Sequence, residues 1–135
     1  MNSQTVYKEF ARFYDTYVGG FDEDLPLYRY LCKNYSQILE IGCGTGRVLK
    51  PVLDAGHEVV GVDISPDMLS IAKKKLSNYI AERRLSLLIH DFCVSPLNKR
   101  FDCVLVTFYT FNYLLNDDTQ LTFLKHVFHS MAGNG

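Results

Sequence analysis

Three glycines at alternate positions are the feature of the sequence that points most directly to chemistry. Residues 38–47 read Ile-Leu-Glu-Ile-Gly-Cys-Gly-Thr-Gly-Arg, with Gly42, Gly44 and Gly46 between a predicted strand and a predicted helix. Glycine permits a sharp turn and lets a ligand lie against bare backbone. The helix N-terminus that follows offers unpaired N–H groups and a positive dipole end. Such a loop suits a pyrophosphate or the carboxylate end of an amino-acid cofactor, and the glycines alone leave both open.

The acid and the spacing around these glycines favour the amino-acid cofactor. Glu40 lies two residues before Gly42, where a carboxylate can meet an ammonium group. S-adenosylmethionine carries an ammonium in this part of the molecule and NAD does not. A dinucleotide-binding loop also follows the pattern G-x-G-x-x-G/A, and this sequence has Arg47 at its last position. We therefore disfavour an NAD-type oxidoreductase.

Further polar and apolar side chains follow the next two predicted strands. Asp63 lies 21 residues after Gly42, where an acid can accept hydrogen bonds from both ribose hydroxyls, although a simple turn acid is the alternative. Ile64 beside it offers an apolar surface for adenine. Asp91 either accepts from the adenine amine or caps the next turn, and Phe92 either stacks or packs nearby. All these residues are predicted to meet at the carboxyl edge of one sheet.

The elements that position these residues alternate between short apolar runs and segments of helical period. Because the runs are apolar at successive positions, they are typical of parallel strands covered on both faces. The predicted strands are 37–41, 58–62, 85–90 and 101–107, and the predicted helices are 24–35, 48–54, 66–83 and 118–131. In the last helix, the predicted buried face comprises Leu121, Leu124, Phe128 and Met131. The alternation predicts a doubly wound α/β fold.

Four segments, ILEIGCGTGR, VVGVDIS, HDF and FDCVLVTF, resemble the successive motifs of class I S-adenosylmethionine-dependent methyltransferases. The resemblance extends from about Tyr14 to the last residue. It implies a parallel sheet in the order 3-2-1-4 and S-adenosylmethionine as cofactor, with S-adenosylhomocysteine as product. We expect a single domain over residues 1–135, with an N-terminal helical cap at 1–36 and an α/β core at 37–135.

The resemblance also implies roles for individual residues. In the N-terminal segment 10–15, an aromatic residue folds over the cofactor in small-molecule members, and we assign this role to Tyr14, with Tyr7 as the rival. The residues expected to bind the cofactor are Tyr14, Glu40, Gly42, Cys43, Gly44, Gly46, Asp63, Ile64, Met68, Asp91, Phe92 and Thr107.

An aromatic segment, 108–115, follows the fourth predicted strand at the mouth of the expected site. Core packing explains Phe108, Phe111 and Leu114. The functional alternative is that Tyr109, Asn112 or Tyr113 faces the methyl group and the acceptor, and with Tyr14 these are the catalytic candidates. The resemblance implies a small-molecule acceptor and methyl transfer by in-line displacement, which mainly requires alignment and exclusion of water.

We expect the sequence to lack the C-terminal part of the family fold. Members of the family continue past a turn similar to 132–135 into a fifth strand and an antiparallel hairpin, so the chain resembles a truncated member. The fourth strand is then an open, apolar edge, which favours association. We expect a homo-oligomer, a partner chain or the final helix to cover it. The alternative function is a non-catalytic cofactor-binding or partner-association module.

Composition excludes several classes of function and location. The net charge of -1, with acidic and basic residues interleaved, gives no basic surface for nucleic acid or anionic lipid. No apolar run is long enough for a membrane span, and the first residues do not resemble a secretion signal. The four cysteines lack metal-ligand spacing, so we expect reduced thiols, no metal and a cytoplasmic location.

Overall fold

Four parallel strands form the centre of the structure, a computed structural model that describes the backbone of residues 3–133 and the side chains of residues 8–133. The strands are β1 (Gln37–Ile41), β2 (Glu58–Asp63), β3 (Leu85–Ile89) and β4 (Cys103–Val106). Their order in the sheet is β3-β2-β1-β4, and all neighbours are parallel. The predicted strand order 3-2-1-4 is therefore confirmed.

Helices precede the sheet and connect its strands. They are α1 (Ser3–Val18), α2 (Leu25–Cys32), α3 (Leu49–Asp54), α4 (Pro66–Lys75), α5 (Ser77–Ala81) and α6 (Asp117–His129), with a 3-10 turn at Thr110–Tyr113. The α/β class is confirmed. The division into a cap at 1–36 and a core at 37–135 stays a prediction.

The sheet separates two apolar clusters, and β1 contributes side chains to both. Ile38 packs with residues of α3 and α4, whereas Leu39 and Ile41 pack with Phe92, Phe101 and Phe123. Each fully buried aliphatic side chain contributes roughly 1.5–3 kcal/mol. Because β1 is covered on both faces, its apolar run has no alternation.

The edge strand β3 departs from this pattern. Leu88 and Ile89 of β3 are 43% and 64% exposed. The expectation that every strand is covered on both faces is therefore wrong for β3, since β3 lies at an edge of the sheet and has a strand neighbour on one side.

The predicted helix at 66–83 is two helices. Ser65 caps α4 by accepting a hydrogen bond from the Met68 N–H, which confirms the predicted start, and the helix ends at Lys75. Leu76 has a non-helical backbone, with φ -115° and ψ 23°, and its side chain is 1% exposed. Because the helix breaks at Leu76, this side chain remains in the core, and α5 begins at Ser77.

The buried face of α6 also differs from the prediction. Phe123 is 4% exposed and packs against Phe92 and Phe111, whereas Leu121, Leu124 and Phe128 are 54%, 48% and 76% exposed. Apolar residues occur on both sides of this helix, so periodicity alone does not select the buried one. The selection comes from the Phe123 contacts and from His126, whose Nδ1 lies 2.7 Å from the Phe92 carbonyl oxygen.

The described residues contain no helix that is both long and apolar enough to cross a membrane. Within the same residues, no group of His, Cys, Asp and Glu side chains is arranged to hold a metal ion. Cys32, Cys43, Cys93 and Cys103 are free thiols. The cytoplasmic location stays a prediction.

Gly46 provides a test of how the loop after β1 packs. Its φ is +91°, and a Cβ there would lie 2.7 Å from Leu76 Cδ1. Gly56 has a similar φ of +96° with open space around it. We expect Gly46→Ala to lower the free energy of unfolding by about 1–3 kcal/mol more than Gly56→Ala, because only Gly46→Ala adds overpacking to backbone strain. Urea denaturation of both variants measures the difference, and equal losses would contradict this packing.

Candidate functional site

A cavity of about 560 Å³ opens at the carboxyl ends of the strands. This is the edge where ligands bind in open parallel sheets. Its wall includes residues from the glycine loop, from the ends of β1, β2 and β3, and from the segment after β4. Of the predicted site residues, those lining the cavity are Tyr14, Glu40, Gly42, Cys43, Gly44, Asp63, Ile64, Met68, Asp91, Phe92, Thr107, Tyr109 and Tyr113.

The glycine loop presents bare backbone to this cavity. Gly44 has a φ of +55°, and a Cβ built on it would meet no atom within 4 Å. Gly42 has a φ of +73°, and a Cβ there would collide with the Thr110 side chain. Gly42 is therefore needed for the close approach of Thr110, whereas the space above Gly44 is open to a ligand.

Asp63 fixes the shape of the loop from the end of β2. Its Oδ2 accepts a hydrogen bond from the Gly44 N–H at 2.8 Å, and its Oδ1 accepts one from the Ser65 N–H at 2.9 Å. Burial raises the pKa of Asp63, and the two N–H donors oppose this shift. The carboxylate thus connects the glycine loop to the start of α4 while it lines the cavity.

Glu40 lies beneath the loop and is 2% exposed. The Thr107 hydroxyl of the segment after β4 donates to Glu40 Oε1 at 2.7 Å. Oε2 is buried and has no hydrogen-bond partner among the described residues. Burial raises the pKa of the Glu40 carboxyl to about 8, against the opposing Thr107 hydrogen bond and the positive charge of Arg47. A buried acceptor without a donor is costly, so this site is suited to a cationic N–H group of a ligand.

Part of the cavity wall is apolar and is formed by Ile64, Met68 and Phe92. Ile64 is 56% exposed, while Met68 and Phe92 are almost fully buried. Asp91 lines the cavity, and its Oδ1 also accepts a hydrogen bond from the Cys93 N–H at 2.8 Å. Asp91 therefore caps the turn, and its position at the cavity leaves the binding alternative open.

The N-terminal helix is attached to the loop by contacts that the sequence analysis missed. Asp15 accepts a hydrogen bond from the fully buried Thr45 hydroxyl at 2.5 Å and pairs with Lys75 Nζ at 2.8 Å. These contacts place the neighbouring Tyr14 against the cavity. In the sequence, the one signal for these contacts is a polar Thr45 among the glycines of the loop.

Arg47 makes a second attachment that was not predicted. Its guanidinium makes two hydrogen bonds with the Asp24 carboxylate, at 2.6 and 2.8 Å, and donates to the Phe21 carbonyl oxygen at 3.0 Å. It also lies 4.9 Å from the Phe108 ring centroid. The Asp24 pair raises the pKa of Arg47 and lowers that of Asp24.

Phe108 has a left-handed backbone, with a φ of +55°. This conformation is rare for a bulky residue and costs about 1–3 kcal/mol. It turns the chain sharply after Thr107, so that Phe108 lies over Arg47 and Thr110 lies against Gly42. Nothing in the sequence predicts this backbone, since glycine or asparagine is the usual residue there.

Some predicted residues lie elsewhere. Gly46 packs against Leu76 and does not line the cavity. Asn112 is exposed and also lies outside the lining. Phe111 and Leu114 pack against the second apolar cluster, in agreement with the core alternative, although Leu114 also lines the cavity, as Phe108 does. The side chain of Tyr7 lies outside the described residues.

Comparisons with known proteins agree with this geometry. The sequence profile of the family described as "Methyltransferase domain" matches residues 38–135. An uncharacterized methyltransferase of Bacillus mycoides is 30% identical over 131 residues, which cover 90% of this chain and 58% of the relative. The chain spans slightly more than half the length of the curated relatives it matches.

Solved structures of methyltransferases share the fold. The CcbJ methyltransferase from Streptomyces caelestis superposes with a TM-score of 0.75 at 27% identity, over 83% of this chain and 49% of that one. The glycopeptide N-methyltransferase MtfA, solved in complex with sinefungin, gives a TM-score of 0.73 at 26% identity, over 85% of this chain and 50% of that one. The chain therefore belongs to the methyltransferase domain family, with the class I S-adenosylmethionine-dependent methyltransferase fold that its motifs predicted.

Proposed function

We propose that this chain binds S-adenosylmethionine and supports transfer of its methyl group to a small-molecule acceptor. The observation that carries the proposal is the buried Oε2 of Glu40, which has no hydrogen-bond partner among the described residues and belongs to a side chain lining the cavity. An ammonium group supplies the donor and the positive charge that this oxygen needs. S-adenosylmethionine is the cofactor of the class I family, and it has that ammonium.

The residues present suit the rest of the cofactor. The open backbone above Gly44 suits the amino-acid end, and Asp63 retains acceptor capacity for ribose hydroxyls because each carboxylate oxygen accepts more than one hydrogen bond. Ile64, Met68 and Phe92 offer apolar contact for adenine. S-adenosylmethionine supplies a methyl group activated by its bond to a sulfonium.

The contribution of the protein is then to align the reactants and to exclude water. Tyr14 is held against the cavity by the contacts of Asp15, and the Arg47–Asp24 pair holds the segment after α1 beside the loop. No covalent catalyst is required for such a displacement, because the leaving group is already present in the cofactor.

A small acceptor fits the size and the charge of the site. The cavity of about 560 Å³ lies within the usual range for small-molecule sites, and because the cofactor would share it, the space that remains suits a small acceptor. The net charge of -1 offers no attraction for nucleic acid. MtfA is named for methylation of a glycopeptide nitrogen, and this precedent for a small acceptor supports the proposal.

We further propose that a second copy of the chain covers the exposed apolar face of α6 beside β4. Among the described residues, the one strand that pairs with β4 is β1, and Met131 forms a single bridge with Phe101 just before β4. Leu121, Leu124 and Phe128 lie on that face. Exposed apolar surface of this kind, next to an open strand edge, favours association.

The role of Asp63 is tested by Asp63→Asn. The amide can accept from one of the two N–H donors but turns its own NH₂ toward the other, so the loop and the ribose site are both disturbed. We expect the Kd for S-adenosylhomocysteine to rise about 10- to 100-fold, the range for hydrogen bonds to a charged group. Isothermal titration calorimetry measures the change. Asp67→Asn is the matched control because Asp67 does not line the cavity, and equal affinities of the two variants would contradict the assignment.

The role of Glu40 is tested by proton release. The pKa of the free carboxyl is raised to about 8, so at pH 7 it is mostly protonated. An ammonium beside Oε2 favours the carboxylate, so binding should release a proton. Affinity should then rise with pH, by up to about tenfold per unit, between about pH 6 and pH 8 and level off above.

Calorimetry at pH 7 in phosphate and in Tris gives the direct measurement, since a released proton makes the observed heats differ by the ionisation heats of the buffers. Glu40→Gln should abolish the difference, whereas Glu58→Gln, an exposed acid at the start of β2, should retain it. Identical heats for the unmodified chain in both buffers would refute the ammonium site at Glu40.

Association through α6 is tested by Phe128→Asp, which places a charge on the exposed apolar face. Light scattering coupled to size exclusion should show a dimer for the unmodified chain and a monomer for the variant. Phe13→Asp, at a residue 67% exposed on α1, should remain dimeric. A monomeric unmodified chain would rule out the second copy as the cover.

A further inference from the structure

Five aromatic side chains that line the cavity are partly or largely exposed to solvent. Phe10, Tyr14 and Tyr17 come from α1, and Tyr109 and Tyr113 come from the segment after β4; we call them the aromatic mouth. The Phe10 ring lies 5.6 Å from the Tyr14 ring and 6.0 Å from the Tyr17 ring, measured between centroids. Tyr109 and Tyr113 are 56% and 65% exposed. Exposed rings beside a cavity offer π-faces to a ligand.

The charges around the mouth disfavour an anionic acceptor. Asp63 and Asp91 line the same cavity. Among the side chains described, from residue 8 to residue 133, Arg47 is the one Lys or Arg that lines it, and its guanidinium is held by two hydrogen bonds to Asp24. A carboxylate, phosphate or phenolate would therefore meet negative charge and no available cation among the described side chains.

Within residues 8–133, the aromatic mouth also has no carboxylate or imidazole of its own that could take a proton from an acceptor. Burial raises the pKa of Tyr14, and the nearby Tyr113, Asp63 and Glu40 raise it further, so its phenol keeps its proton at neutral pH. His90 is the one described histidine that lines the cavity. Its Nε2 lies 2.7 Å from the Ser95 carbonyl oxygen, and its ring packs against Phe92 at 5.0 Å, in the apolar part of the cavity wall. An alcohol, which must lose a proton as it reacts, is poorly served by this arrangement.

We propose that the acceptor is a small amine that is methylated on its nitrogen, and that the aromatic mouth binds it. The proposal rests on the methyltransferase function proposed above. The nitrogen lone pair forms the new N–C bond while the methyl–sulfur bond breaks and leaves its electron pair on sulfur, and the surplus N–H proton then passes to water. A neutral amine needs no protein base for this step.

Recognition of the amine follows from the same rings. The protonated amine and the methylated product are cations, and a cation within about 6 Å of a tyrosine or phenylalanine ring is attracted by the π-face. Asp63 and Asp91, which line the same cavity, add to this attraction. Because the mouth is open to solvent, the ammonium can lose its proton to water before the nitrogen reacts.

The experiment compares three probes that share a phenyl ring and differ in charge: phenethylamine, 2-phenylethanol and phenylacetate. The full chain is first titrated with S-adenosylhomocysteine and then, once saturated, with each probe by ligand-observed NMR. We expect phenethylamine to bind about fivefold more tightly than 2-phenylethanol and phenylacetate to bind most weakly, as a cation–π contact at a partly exposed site implies. No binding of S-adenosylhomocysteine would overturn both proposals. If S-adenosylhomocysteine bound but phenethylamine did not bind, or bound no more tightly than the other probes, the amine proposal alone would be overturned.

Substitutions in the aromatic mouth distinguish attraction by the π-face of a ring from binding to apolar surface. Tyr113→Phe keeps the ring and should keep the preference for phenethylamine, whereas Tyr113→Leu keeps an apolar side chain and should lose most of it. Phe13→Leu is the control, because Phe13 is exposed on α1 but does not line the cavity. If Tyr113→Leu weakened phenethylamine and 2-phenylethanol equally, the ring would be apolar surface only and the amine assignment would be refuted.

Discussion

The hydrogen bond between Glu40 and Thr107 is the interaction on which the site depends. It joins the end of β1 to the residue after β4 inside the core, and it leaves one carboxylate oxygen buried without a partner among the described residues. A buried carboxyl with one unmet acceptor destabilises the chain in the absence of a ligand, since neither protonation state is fully satisfied. The structure tolerates this cost at the point where a cationic group of the cofactor belongs. Binding and the electrostatic balance of the core are therefore linked through one side chain.

The backbone around this pair is held by side chains from distant parts of the sequence. Asp63 fixes Gly44, Asp15 fixes Thr45, and Asp24 fixes Arg47. Three acids thus hold three neighbouring loop residues, each from a different direction. The loop is preorganised by these contacts, so a ligand does not have to order it on binding.

The sequence predicted the fold well because its strands carry local signals. The apolar runs, the segments of helical period and the glycine spacing are each readable within a few residues, and their order implies the parallel sheet. The errors arose where a choice depends on tertiary contacts. Both sides of α6 contain apolar residues, and the contacts of Phe123 decide which is buried. The break at Leu76 follows from the need to keep that side chain in the core. In the site, the acids at strand ends were found from spacing, whereas the Arg47–Asp24 pair and the left-handed backbone at Phe108 have no local signature.

The contacts of Asp15 also bear on the order in which the chain can fold. Its partners Thr45 and Lys75 lie 30 and 60 residues later in the sequence. During synthesis α1 leaves the ribosome before these partners, and it cannot make these contacts until the glycine loop and α4 have formed. Contacts of such sequence separation form late, because the entropy of closing the loop must be overcome first. This helix, made before its partners, is therefore fixed in place after them, and the mouth of the cavity is completed only when the sheet behind it already exists.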